Sequence, residues 1–291
     1  MLPNDYFTLS RRSVVKGLIS TPLLIPGVTS ARTLGPNQGI QLRDTSGESI
    51  INDALYKKDY WKDSNINKYN GQNYEEIRTK KMKKGYLCRV SGYGTDGNLP
   101  AKHVGDTVFW HQNKLPQHMD GAMTAVLLDS GKDPVVNSDF TDIYLLADFD
   151  FFYGEYYQRM YKFTDQKGRL LYPFELLKKE YVPDGSKWAD FSSRRSDAIK
   201  EAKKLNRWRK RWFNGILPIT ELFGIYVVEK ITDKKSHVTM IAKLRFGEGT
   251  GFFAQVGSEI PFVLRSGLQN GFDGCVDIVK HLRDGKYSNG Q

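Results

Sequence analysis

The sequence predicts an α+β fold in which a largely antiparallel, curved sheet carries one long C-terminal helix across it. Three observations predict it. Along residues 237–246, Val238, Met240, Ala242, Leu244 and Phe246 fall on one face and His237, Thr239, Lys243 and Arg245 on the other, the period of two of a half-buried strand. Residues 224–231 precede that run across a polar turn, Thr232-Asp233-Lys234-Lys235, as in a hairpin. From Pro261, a residue favoured in the first helical turn, Leu264, Leu268, Phe272, Cys275, Val279 and Leu282 recur as one helical stripe.

The chain has 291 residues, enough for one large domain or two small ones with a real core. Its 40% hydrophobic and 26% charged residues exclude a disordered chain. Aromatic residues reach 13%, so rings either thicken the core or line a pocket. The formal net charge is +10, and residues 1–31 contribute three cations against one anion, leaving +8 for the rest. Such an excess attracts anionic lipid, nucleic acid or an acidic polymer. Only Cys88 and Cys275 are present, which excludes a disulfide framework and a four-cysteine zinc site. One bridge between them and two separate buried thiols both stay open.

Taken in order, residues 1–31 read as an address. Ser10-Arg11-Arg12-Ser13-Val14-Val15-Lys16 resembles the twin-arginine signal motif, with Val14 where phenylalanine is common. The apolar stretch 17–28 is interrupted by Ser20, Thr21, Pro22 and Pro26, too short for a span that needs roughly 20 apolar residues. Thr29-Ser30-Ala31 supplies small residues for a peptidase, which places cleavage after Ala31. The resemblance implies export of a folded protein, hence a periplasmic or secreted location.

Residues 32–85 are expected as an irregular or helical N-terminal arm, with a basic helix over 74–84 ended by Gly85. Residues 86–291 are expected as the α+β domain. Within it, strands are expected over 86–93, 142–149 and 156–163, and a polar loop around Pro116. The turn 164–168 leads into a run 169–182, where Pro173 argues for an edge or a bulge. Residues 196–213 are expected as a helix, since Ile199, Ala202, Leu205, Trp208 and Trp212 recur at spacings of three and four.

In the last helix Gly267, Gly271 and Gly274 would each cost roughly 1 kcal/mol against alanine, a cost that makes sense where a helix lies very close to a sheet or a ligand. Strands in meander order closed by this glycine-bearing helix, with the passage 238–264, resemble the helix-grip fold of START-type lipid-transfer domains over about 142–284. The resemblance implies an apolar cavity between the sheet and the last helix. It transfers no functional residue, because the family binds by cavity shape.

The first functional expectation is therefore a periplasmic protein binding an apolar or lipid-like ligand, with Met240, Leu244, Leu264, Leu268 and Phe272 lining the cavity; the same residues are plain core if there is none. The basic amphipathic stretch 193–213 holds Lys203, Arg207, Trp208, Arg211 and Trp212, a composition that docks on anionic membranes. Phosphate contacts could use that face too, but the exported compartment argues against nucleic acid as partner. The second expectation is a metal-assisted hydrolase built on His103, Asp106, His111, His118 and Asp120, ligand types for zinc or a redox metal, although their gaps match no helical zinc site. Under the first expectation no cofactor is implied. Asp148, Asp150 and Glu155 beside an aromatic run could flank a sugar bond or simply end a strand. A third reading is an envelope interaction module without catalysis.

Overall fold

A computed structural model describes residues 31–35, 38–119, 121–149, 152–204, 215–246 and 261–287; the signal-like segment 1–30 lies outside them. The described residues build one sheet of eleven strands: β1 (Arg32–Thr33), β2 (Asn65–Lys68), β3 (Glu76–Lys81), β4 (Tyr86–Gly92), β5 (Ala122–Asp133), β6 (Ser138–Asp148), β7 (Tyr153–Tyr161), β8 (Phe163–Thr164), β9 (Leu170–Leu176), β10 (Ile216–Lys230) and β11 (Ser236–Phe246). Five helices accompany it among the described residues: α1 (Thr45–Tyr56), α2 (Ala101–Trp110), α3 (Leu115–His118), α4 (Gly185–Lys204) and α5 (Pro261–Arg283).

At the centre β10 pairs antiparallel with β11 along nearly its whole length, Tyr226 facing Met240 and Val228 facing Val238. From β11 the sheet runs outward through β4 and β3 to β2. On the other side β9 pairs with β10, β7 with β9, β6 with β7 and β5 with β6, all antiparallel. Helix α5 packs across α2, α3, β4 and β11, and all six residues of its predicted stripe are buried. The expected fold class, a curved and largely antiparallel sheet with a long C-terminal helix across it, is the one observed.

Several elements differ from expectation. The basic stretch 74–84 holds the strand β3, not a helix: Ile77 and Thr79 are buried while Lys81 is exposed, so the lysines line a strand surface. The segment 32–85 also contributes β1, β2 and α1, whose first turn is capped by the Asp44 carboxylate accepting from Ser46 N and Gly47 N. The expected polar loop around Pro116 is largely helical, with Pro116 in the first turn of α3. Pro173 sits inside the sheet, and the missing donor is tolerated because pairing on one side lapses between Phe174–Met160 and Leu171–Phe163. The outer face of β11 is covered rather than solvated. Ile241 there joins a second core with Ile40, Ile51, Phe223 and Ile225, and Lys243 is buried with Nζ 2.6 Å from Glu221 Oε1. Cys88 and Cys275 are separate buried thiols.

A cavity beneath the C-terminal helix

The alternation of β11 turns Val238, Met240, Ala242, Leu244 and Phe246 toward α5. Above them the helix presents Leu264, Gly267, Leu268 and Gly271. At Gly267 and Gly271 a Cβ would meet nothing within 4 Å, whereas at Gly274 it would come 3.0 Å from Met119 Cβ. The helix thus touches α3 at one glycine and stands over open space at the other two. Beneath lies a cavity of about 180 Å³.

Leucine, methionine, alanine and phenylalanine side chains from β6, β9, β10, β11 and α3 make most of its wall. Its polar groups are few and mostly neutral: Gln112, Tyr156, Gln158, Tyr226, Ser266 and Asn270. Asp148 is the one carboxylate, and no lysine, arginine or histidine lines it among the described residues. Burial holds the Tyr156 and Tyr226 hydroxyls well above the usual phenol range, so both keep their protons. Gln158 Nε2 donates to Gln112 Oε1 at 3.1 Å, and Gln112 Nε2 donates to Val108 O at 2.7 Å. A cavity so lined takes up apolar bodies and orients them by a few hydrogen bonds.

Four of the five residues expected at such a cavity, Met240, Leu244, Leu264 and Leu268, line it. Phe272 does not; one turn further along α5, it is buried with its ring 6.2 Å from that of Tyr74. Sequence reasoning missed Tyr156, Gln158 and Gln112. Tyr156 and Gln158 share a face of β7 by their spacing of two, the one signal available.

The residues expected to ligate a metal are dispersed. His103 and Asp106 lie on α2, His111 is buried just after it, and His118 ends α3. His118 Nε2 lies 2.5 Å from the Tyr287 hydroxyl, and its ring packs at 4.5 Å on His281. Asp120 lies outside the described residues, and among those described no three histidine, cysteine or carboxylate side chains come close enough to hold an ion. Glu155 is occupied by Arg195 at 2.6 and 2.8 Å and by the Tyr144 hydroxyl at 2.8 Å, while Asp150 is outside the described residues.

Of the membrane-contact set, Lys203 is exposed near the end of α4; Arg207, Trp208, Arg211 and Trp212 lie outside the described residues. Part of the basic character of α4 points inward. Arg194 donates to the carbonyls of Leu127 and Leu128, and Arg195 holds Glu155. No described helix is long and apolar enough to cross a membrane.

No protein-family model and no curated protein matches the sequence. Solved structures do. Human StAR-related lipid transfer protein 5 is 11% identical with a TM-score of 0.51, covering 82% of this chain and 97% of its own. A STAR-related lipid transfer protein fragment from Xanthomonas axonopodis is 12% identical with a TM-score of 0.49, covering 76% of this chain and 98% of its own. The likeness to the human protein establishes the architecture: this chain has the START-type helix-grip fold.

Proposed function

We propose that the protein is an exported carrier that binds an apolar or lipid-like ligand between its sheet and α5. The observation that carries this reading is the cavity of about 180 Å³ roofed by Gly267 and Gly271. Glycine is unfavourable within a helix by roughly 1 kcal/mol, and here it leaves open space rather than admitting a close neighbour. An engineered cavity of roughly 150 Å³ stays dry and takes up benzene, so this one suits an apolar body of one or two rings, or part of a longer molecule. The structural likeness to a StAR-related lipid transfer protein supports the same reading. Residues 1–31 supply the export address and the basic stretch 193–213 the contact with an anionic membrane surface.

Organic extraction of the purified protein followed by mass spectrometry tests the binding. One apolar compound near equimolar amounts is expected, lost when Leu268→Trp fills the cavity of a chain that still folds. An extract without such a compound, from a protein that also binds no apolar probe, would sink the reading.

A further inference from the structure

The cavity is apolar on most sides, and three of its polar groups lie on β7 and β10. Tyr156 and Gln158, two residues apart on one strand face, both line it, as does Tyr226. Burial, with a small contribution from Tyr156, holds the Tyr226 hydroxyl protonated.

Their hydrogen bonding leaves a definite remainder. Val108 O can only accept, so the Gln112 amide must turn its nitrogen there and its oxygen toward Gln158. Gln158 must then answer with its own nitrogen, which fixes the amide orientation and leaves Gln158 Oε1 without a partner among the described residues. Gln158 is only 5% exposed. Tyr226, 6% exposed, accepts from Cys275 Sγ at 3.8 Å and keeps its own proton unspent. The Tyr156 hydroxyl has no partner among the described residues. Three residues that line the cavity therefore carry two O–H donors and one carbonyl acceptor with hydrogen-bonding capacity to spare.

We infer that the ligand is an uncharged alcohol or phenol: an apolar body whose single hydroxyl accepts from Tyr156 and Tyr226 and donates to Gln158 Oε1. A hydroxyl satisfies all three groups, whereas a hydrocarbon satisfies none. A carboxylate would enter a desolvated space whose described lining offers no cation and already holds Asp148, a heavy penalty. This inference rests on the ligand-binding reading above and narrows it to one chemical class.

The test is calorimetric titration at pH 7 with three probes of one shape: 2-naphthol, naphthalene and 2-naphthoate. The net gain from hydrogen bonding the ligand hydroxyl predicts that 2-naphthol binds about tenfold more tightly than naphthalene. For 2-naphthoate no saturable binding is expected. Tyr156→Phe with Tyr226→Phe should remove the advantage of 2-naphthol over naphthalene. Equal binding of the alcohol and the hydrocarbon, or tightest binding of the carboxylate, overturns the ligand class while the apolar cavity stands. If none of the three binds, the carrier reading falls and this inference with it.

Discussion

Arg159 and Asp142 face each other directly across β6 and β7, joined by two hydrogen bonds of 2.8 and 2.6 Å. Arg159 also reaches Asp133 at 2.9 Å, which in turn holds Arg43 at 3.0 and 3.1 Å. Beside them Glu175 accepts from the backbone N–H groups of Arg43 and Asp44 and from the Tyr161 hydroxyl. This buried network ties the chain before α1 to the sheet. Burial pushes Asp142 up to about 6 despite the guanidinium, so its charge depends on that partner. Arg159→Met should destabilise the protein by about 3–5 kcal/mol, the usual effect of orphaning a buried charge, read as a fall in urea midpoint at unchanged slope.

The histidines predict a pH dependence. Desolvation lowers His111, His118 and His237 below their usual range, with the neighbouring His281 adding to the effect at His118. A lowered folded-state value means the unfolded chain takes up protons first. Stability is then fully present above the unfolded value of about 6.5 and falls as pH drops through and below it. Asp142 acts in the opposite direction at about 6 and below, so the histidine effect is cleanest between pH 7.5 and 6. Melting temperature should decline across that window, and less steeply in His118→Gln. A flat profile would contradict the burial assigned to these rings.

At the scale of elements, the glycines divide into two kinds. A Cβ at Gly224 would sit 2.4 Å from Ile241 O and 2.3 Å from Phe174 Cζ, at the crossing of three central strands. Gly224→Ala should therefore cost about 1–3 kcal/mol or more, as overpacking does. At Gly267 and Gly271 nothing is touched, and alanine should raise stability by up to about 1 kcal/mol each. Denaturation of the three variants separates a close-packing glycine from one that keeps a space open.

The same elements show what the sequence made legible. The β10–β11 hairpin and α5 carry clean periods of two and of three to four, so they could be read together with four residues of the cavity. Strand β3 could not, because Thr79 fills one of its inward positions and lysines surround it. Helix α2 was hidden by Gly105, required because the Tyr172 hydroxyl lies 2.3 Å from where a Cβ would stand. In β5, register shifts at Ala122/Thr124 and Leu127/Asp129 break the alternation. The roles of Tyr156 and Gln158 depend on partners brought from β10 and the turn after α2, which no local pattern records.

For the whole molecule, both faces of the sheet are covered but not equally filled. Beneath α1, Ile40, Ile51, Phe223 and Ile225 pack in one buried core, while a cavity of about 180 Å³ lies beneath part of α5. The carrier proposal rests on that room beneath α5. The most direct test is equilibrium binding of 2-naphthol to the wild-type chain and to Gly271→Leu, with thermal unfolding followed in parallel. The account predicts one saturable site in the wild type, lost in a variant whose melting temperature is unchanged or higher. Undiminished binding by the folded variant, or none by the wild type, would contradict it.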